Sequence, residues 1–334
     1  MTESHSLQVL KPGQMEIRPL ERPAIGDHEV LLRVAACGIC GTDRHIYHGT
    51  FPATLPVVLG HEIAGWVVET GDKVTKVKTG DLVSVNPNIW CGRCQPCLEG
   101  QAHLCMNMKA LGVDLNGGMA HYCAVPEQLL YKMKPDTDPL KACLAEPVSC
   151  VLHGIDRLRA RAGCRAAVFG GGFIGQLMLQ VLRLQGISEI TLVEPVAYKR
   201  QIAERLGFRT IDPVHEREAL EQLSELDVAI DCAGAGDVLA QCIRMTKRGG
   251  RVLVFAAYPQ GKEVPIEPYA VYRKEISLIG SFTYPDTQLR AVRMIESGQL
   301  LLDPLITAVD LEQAMSLIKG EADSTVLKGV IKFA

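Results

Sequence analysis

The run "AAVFGGGFIGQLMLQ" limits the second half of this chain more than any other stretch. It places Gly170, Gly172 and Gly175 in the spacing G-x-G-x-x-G, with Phe173 and Ile174 before the last glycine. A short apolar strand precedes the glycines and an apolar helix follows them. The next strand, "EITLVE", ends in Glu194, 19 residues beyond Gly175. Strand, glycine turn, helix, strand and acid in this order form the βαβ signature of a dinucleotide site. The glycines allow a tight turn and close approach of a pyrophosphate, which sits at the helix N-terminus. Glu194 is expected to accept hydrogen bonds from the ribose hydroxyls and to repel a 2′-phosphate, which favours NAD over NADP. Lys199, followed by Arg200 on the next helix, is a further cofactor-side candidate and partly offsets that acid.

The rhythm continues beyond this unit. "VAYKRQIAERLG" reads as a helix, "LDVAID" as a strand and "GDVLAQCIRMTKRGG" as a helix ending in glycine. "RVLVFAA" and "ISLIGSF" read as strands. Alternation of this kind predicts a parallel sheet covered by helices. Before residue 150 the chain differs. "EVLLRVAACG", "AGWVVETG", "DLVSVNP" and "AHYCAVP" are short strand-like segments broken by Gly and Pro, which predict a β-rich domain. After the parallel sheet, "DTQLRAVRMIESGQL" predicts a helix and "KGVIKFA" a last strand.

At 334 residues the chain has room for two domains, and 47% apolar residues can supply both cores. A net charge of −3 forces no basic face, so nucleic acid is not expected as a partner. No apolar run reaches the roughly 18 residues of a membrane span. The N-terminus shows no basic start followed by an apolar stretch, so a cytoplasmic protein is expected.

Twelve cysteines require an explanation, and four of them are clustered. "CGRCQPCLEGQAHLC" sets Cys91, Cys94, Cys97 and Cys105 as C-x2-C-x2-C-x7-C. Four thiolates so spaced can close around one tetrahedral ion, which fits a structural zinc in a reducing compartment. A ferredoxin-type cluster is the rival, but its last gap is shorter and a proline follows the fourth cysteine. Here Met106 follows, which favours zinc.

A second group is dispersed. "CGICGTDRHIYHG" carries Cys37, Cys40, Thr42, Asp43, His45 and His48, and "LGHEIAG" adds His61 and Glu62. A catalytic zinc needs about three protein ligands and an open position, and cysteine, histidine and carboxylate are suitable donors.

Taken together, "GICGTDRH", "GHEIAG", the four-cysteine lobe, "AEPVSCVLHG" and "GGGFIG" occur in the order of a known family. The chain resembles the zinc-containing medium-chain alcohol dehydrogenases over essentially its whole length, and most closely their polyol (sorbitol-like) branch. The resemblance implies an α/β fold: a GroES-like β-rich catalytic domain (residues 1–150 and 286–334) and a Rossmann nucleotide-binding domain (residues 151–285). It implies one catalytic and one structural zinc per chain, with NAD as the hydride acceptor. It assigns the catalytic zinc to Cys40 and His61, with Glu62 and Glu146 of "AEPVSC" as the further candidate ligands, Glu146 alternatively acting as a base through the zinc water. Cys37 is then a buried thiol. Asp43 corresponds to the carboxylate that orients the zinc histidine, and Thr42 and His45 to the relay that carries the alcohol proton to solvent. The site is expected between the domains.

The expected substrate is a polyol such as galactitol, altritol, arabinitol or sorbitol, oxidised to a ketose. A sugar acid, a sugar phosphate or threonine are alternatives. Ile46 and Thr283 depart from the sorbitol pattern and, with Tyr47, are expected to help set specificity. A zinc-free reductase or a non-enzymatic nucleotide-binding protein would lack the Cys40, His61 and Glu62 set. The family also implies a homo-oligomer, tetramer or dimer.

Overall fold

The segment Glu29–Gly38 is buried at most positions on both faces, which identifies a strand inside a sheet rather than at its edge. In the computed structural model, which describes residues 4–321 and 325–333, this strand organises the first unit. It pairs antiparallel with Glu62–Thr70 along one side. On the other side Tyr122–Pro126 pairs with its first half and Lys328–Lys332 with its last residues. Leu82–Val85 and Leu130–Lys132 extend the sheet beyond Glu62–Thr70, and Ile306–Val309 extends it beyond Lys328–Lys332. A smaller sheet holds Gln14–Pro19, His5–Lys11 and Val57–Val58. Leu7, Val30, Leu32, Val34, Ile63 and Val83 belong to the core these sheets enclose.

The register of the central strand positions chemistry. Gly38 lies opposite both Glu62 and Val330. Cys40 follows Gly38 by two residues, His61 precedes Glu62, and Lys328 lies two residues before Val330. Three distant pieces of sequence therefore meet at one end of one sheet.

The chain divides into residues 1–149 with 284–334, and residues 150–283. The second unit is a six-stranded, all-parallel sheet. Its order is Arg209–Ile211, Glu189–Val193, Arg165–Phe169, Leu226–Asp231, Thr246–Val254, Ser277–Gly280. Strand order reverses beside Arg165–Phe169, as in a doubly wound fold. Ala167, Phe169, Val193, Ala229 and Val252 contribute to its core.

One expected element differs. The helix read through "TKRGG" stops at Met245, and the strand Thr246–Val254 begins at once. Thr246 Oγ1 donates to the Cys242 carbonyl (2.7 Å), capping the last turn. The register then jumps from the Leu226–Thr246 pair to the Val228–Arg251 pair. "KRGG" is an extra loop of backbone within the strand, with Gly249 at φ +71°, where a side chain would be strained.

Candidate active site and metal centres

"GTDRHIY" forms the short helix Gly41–Tyr47 directly after the central strand. Cys40 is its N-cap. The Asp43 carboxylate turns back and accepts the Cys40 N–H through Oδ2 at 2.8 Å, so the helix start and the cysteine are fixed together. The other Asp43 oxygen faces His61, with Oδ1 to Nδ1 at 3.6 Å, longer than a hydrogen bond. This leaves Nε2 as the ring nitrogen turned from Asp43. Sγ of Cys40, a ring nitrogen of His61 and a carboxylate oxygen of Glu62 all lie within 4.8 Å of one another. Sulphur, imidazole and carboxylate are a zinc donor set, and the group is mostly shielded from solvent.

The electrostatics fit a cation. Burial lowers the His61 pKa, but the Cys40 thiolate, Asp43 and Glu146 outweigh it and raise the ring well above its ordinary value. Burial also raises Asp43, against the pull of His61. Glu146 lies in the first turn of the helix Ala145–Leu158, buried and within electrostatic reach of His61. It is not one of the three donors that converge most closely.

Lys328 is a charged group at this site that the sequence motifs did not single out. Its Nζ meets Glu62 Oε1 at 2.5 Å and donates to the Ile39 carbonyl at 2.7 Å. Both side chains are almost fully buried. Burial depresses the lysine, but Glu62 and the Cys40 thiolate more than restore it, so it is held above its ordinary pKa. Glu62 is thus bound on one oxygen by an ammonium, while Oε2 has no hydrogen-bond partner among the described residues.

The relay candidates have different partners. Thr42 Oγ1 is 3.7 Å from Cys40 Sγ. The His45 ring is hydrogen-bonded to Thr50 Oγ1 at 3.0 Å, a partner the motif did not indicate. Ile46 is 1% exposed within the core, and Tyr47 packs against the same core, so both serve packing. Thr283 adopts φ +45° with its hydroxyl buried. Cys37 is fully buried, and burial raises its thiol well above the ordinary range.

The cysteine lobe is built locally. The turns Gln95–Leu98 and Ala102–Leu104 fold the four sulphurs to within 4.8 Å of one another. Main-chain N–H groups of Cys91 and Asn107 donate to Cys105 Sγ at 3.3 and 3.4 Å. Those of Arg93 and Cys94 lower Cys91 to about 6. Burial and the neighbouring sulphurs Cys94 and Cys105 push Cys97 to about 12. Amides aimed at sulphur favour the thiolate at Cys91, and a bound cation is what would hold all four crowded sulphurs as thiolates, as four-sulphur zinc binding does.

In the second unit the glycine turn joins Arg165–Phe169 to the helix Phe173–Leu184. Gly170 has φ +103°, and a Cβ on Gly175 would overlap the Gly170 carbonyl, so both positions require glycine. Phe173 is buried and Ile174 half-buried in the first helical turn. Glu194 follows Glu189–Val193 and is buried. It accepts the Gly171 N–H at 2.5 Å and the Val196 N–H at 2.8 Å, so it braces the turn itself. Lys199 Nζ is 4.0 Å from Glu194, whereas Arg200 is held by Asp212 at 2.8 Å and by the Glu194 and Pro195 carbonyls.

Comparison with known proteins agrees with this geometry. Residues 26–136 match the model of the alcohol dehydrogenase GroES-like domain, and residues 174–297 that of zinc-binding dehydrogenases. The chain is 33% identical over 333 residues to D-arabinitol dehydrogenase 1 of Uromyces fabae, covering 96% of this chain and 95% of that protein. It is 34% identical to 2-dehydro-3-deoxy-L-galactonate 5-dehydrogenase of Pseudoalteromonas atlantica, covering 84% of each. A zinc-binding dehydrogenase of Sinorhizobium meliloti 1021, crystallised with NADP, superposes with a TM-score of 0.96 at 35% identity, covering 100% of both chains. The chain belongs to the zinc-binding dehydrogenases and is an oxidoreductase with GroES-like and Rossmann domains. No helix among the described residues is long and apolar enough to cross a membrane.

Proposed function

We propose that the chain oxidises a secondary alcohol of a polyol to a ketose, passing the hydride to NAD. The observation that carries this reading is the buried convergence of Cys40, His61 and Glu62. Zinc held there supplies Lewis acidity that lowers the pKa of a substrate hydroxyl. Cys40 and His61 are the ligands, Asp43 sets the ring orientation of His61, and Glu146 adds a third donor or base. Lys328 engages Glu62 and balances part of the site's negative charge. Thr42 would take the substrate hydroxyl proton while giving up its own, His45 would carry that proton outward, and bound NAD would accept the hydride from the carbinol carbon. The four-cysteine lobe holds a structural zinc.

Similarity to D-arabinitol dehydrogenase 1 over nearly the whole chain supports a polyol. A sugar-acid alcohol is the second reading, supported by the similarity to the galactonate-derived dehydrogenase. Glu194 supports NAD, because its carboxylate repels a 2′-phosphate. The NADP bound to the Sinorhizobium relative makes this the point to test. The experiment is a panel of pentitols, hexitols, sugar acids and threonine with NAD and NADP, following absorbance of the reduced cofactor. The expected result is turnover of a pentitol or hexitol with at least about tenfold preference for NAD, the scale of one charge-assisted contact. Turnover confined to sugar acids overturns the polyol assignment, and preference for NADP overturns the role of Glu194.

A further inference from the structure

The second half of the parallel sheet contains a buried carboxylate that the proposed hydride transfer does not use. Asp231 ends the strand Leu226–Asp231 and is fully buried. It pairs in register with Phe169 on one side and Val254 on the other. It therefore stands at the carboxyl edge of the sheet next to the glycine turn, on the far side of the point where strand order reverses.

One carboxylate ties two loops together there. Oδ1 accepts the N–H groups of Ala233 and Gly234, each at 3.0 Å. Oδ2 accepts the Tyr258 hydroxyl at 2.6 Å. The Asp231 carbonyl accepts the N–H groups of Phe255 and Ala256 at 3.1 and 2.9 Å. Gly170 approaches the same loop so closely that a Cβ on it would lie 2.9 Å from the Ala233 nitrogen. The loop of residues 232–236 thus lies against the glycine turn, with its start set by Asp231. Tyr258 comes from the segment after Thr246–Val254 and is half-buried. Burial and the Asp231 charge raise its phenol well above the ordinary range, so it remains a donor.

In a doubly wound sheet the first βαβ half holds the pyrophosphate and the adenosine ribose, and the second half receives the other mononucleotide. Here the glycine turn and Glu194 belong to the first half, and the second half begins with Leu226–Asp231. The two main-chain amides on Oδ1 account for one carboxylate oxygen. The phenol on the other oxygen comes from a different loop and is a separate device. We propose that Tyr258 is a positioning residue for the nicotinamide half of the dinucleotide, acting through Asp231 to hold the loop of residues 232–236 against the glycine turn. The proposal rests on the dinucleotide reading given above.

The test uses the full-length, zinc-loaded protein with no alcohol present. Wild type and Tyr258→Phe are titrated calorimetrically with NADH and with ADP-ribose, which lacks nicotinamide. The expected result is NADH binding weakened by about tenfold, with ADP-ribose binding within about twofold of wild type, the loss of one hydrogen bond to a charged group. Unchanged ADP-ribose affinity also shows that the variant is folded. Equal weakening of both ligands, or no change in either, overturns the role of Tyr258 and leaves the dinucleotide site standing. Wild-type protein that binds neither ligand overturns the dinucleotide reading and the proposal with it.

Discussion

The first unit contains two clusters of metal-type donors assembled in opposite ways. The cysteine lobe takes all its donors from residues 91–105, in two short turns at a partly exposed surface. The Cys40, His61 and Glu62 cluster takes its donors from the ends of different strands, is largely buried, and includes a lysine from residue 328. The lobe has four identical sulphurs, which around one ion would make a closed shell with no position left for substrate. The second cluster has mixed donors surrounded by Asp43, Glu146 and Lys328, an arrangement suited to adjusting charge. A site built within one loop can hold an ion, whereas a site built across a sheet can also hold a reacting group in a defined field.

The largest expected effect comes from Cys40→Ser. It should lower kcat by roughly a thousandfold, because the stabilisation of developing charge on the substrate oxygen is lost. Metal content, measured by plasma mass spectrometry, should fall by one ion per chain while the lobe keeps its own. Full activity in this variant would erase the functional difference between the clusters.

How each cluster was read from the sequence follows from its construction. The lobe is a contiguous spacing, so its four members needed no tertiary information. The glycine turn is equally local, and Gly170 and Gly175 stand where only glycine fits. Lys328 was invisible for the opposite reason. "KGVIKFA" reads as a strand, but nothing local says that it pairs with Ala36–Gly38 and so brings an ammonium to Glu62. Ile46 shows the converse limit. Its place beside His45 suggested a substrate contact, yet the helical turn directs it into the core. The strand beginning at Thr246 was hidden in an apparent helix, because a hydroxyl cap and a glycine bulge leave no periodic signature.

Lys328→Met addresses the cross-sheet cluster from its cationic side. Removing one partner strands the other charge in a buried setting, which costs about 3–5 kcal/mol. Chemical denaturation should show that loss, and turnover should fall by on the order of tenfold as Glu62 loses its anchor. The double variant Glu62→Gln with Lys328→Met should recover most of the stability, since no buried charge is left unpaired. Wild-type stability in the single variant would mean that the ion pair does not hold this end of the sheet.

The smallest effect on turnover is expected from Cys97→Ser in the lobe. Three sulphurs remain, so the closed shell opens and its ion is held weakly. One ion per chain should again be lost, as with Cys40→Ser, but kcat at 25 °C should stay within about twofold of wild type, because a closed structural site takes no part in the chemistry. The cost should appear as folding stability: residues 91–105 should become open to proteases and the thermal midpoint should fall by several degrees. The pair of variants thus separates the clusters by one number, turnover at equal metal loss. If Cys97→Ser were as inactive as Cys40→Ser, the lobe would have to act on the substrate site, and closed donor geometry would no longer identify a structural role in this chain.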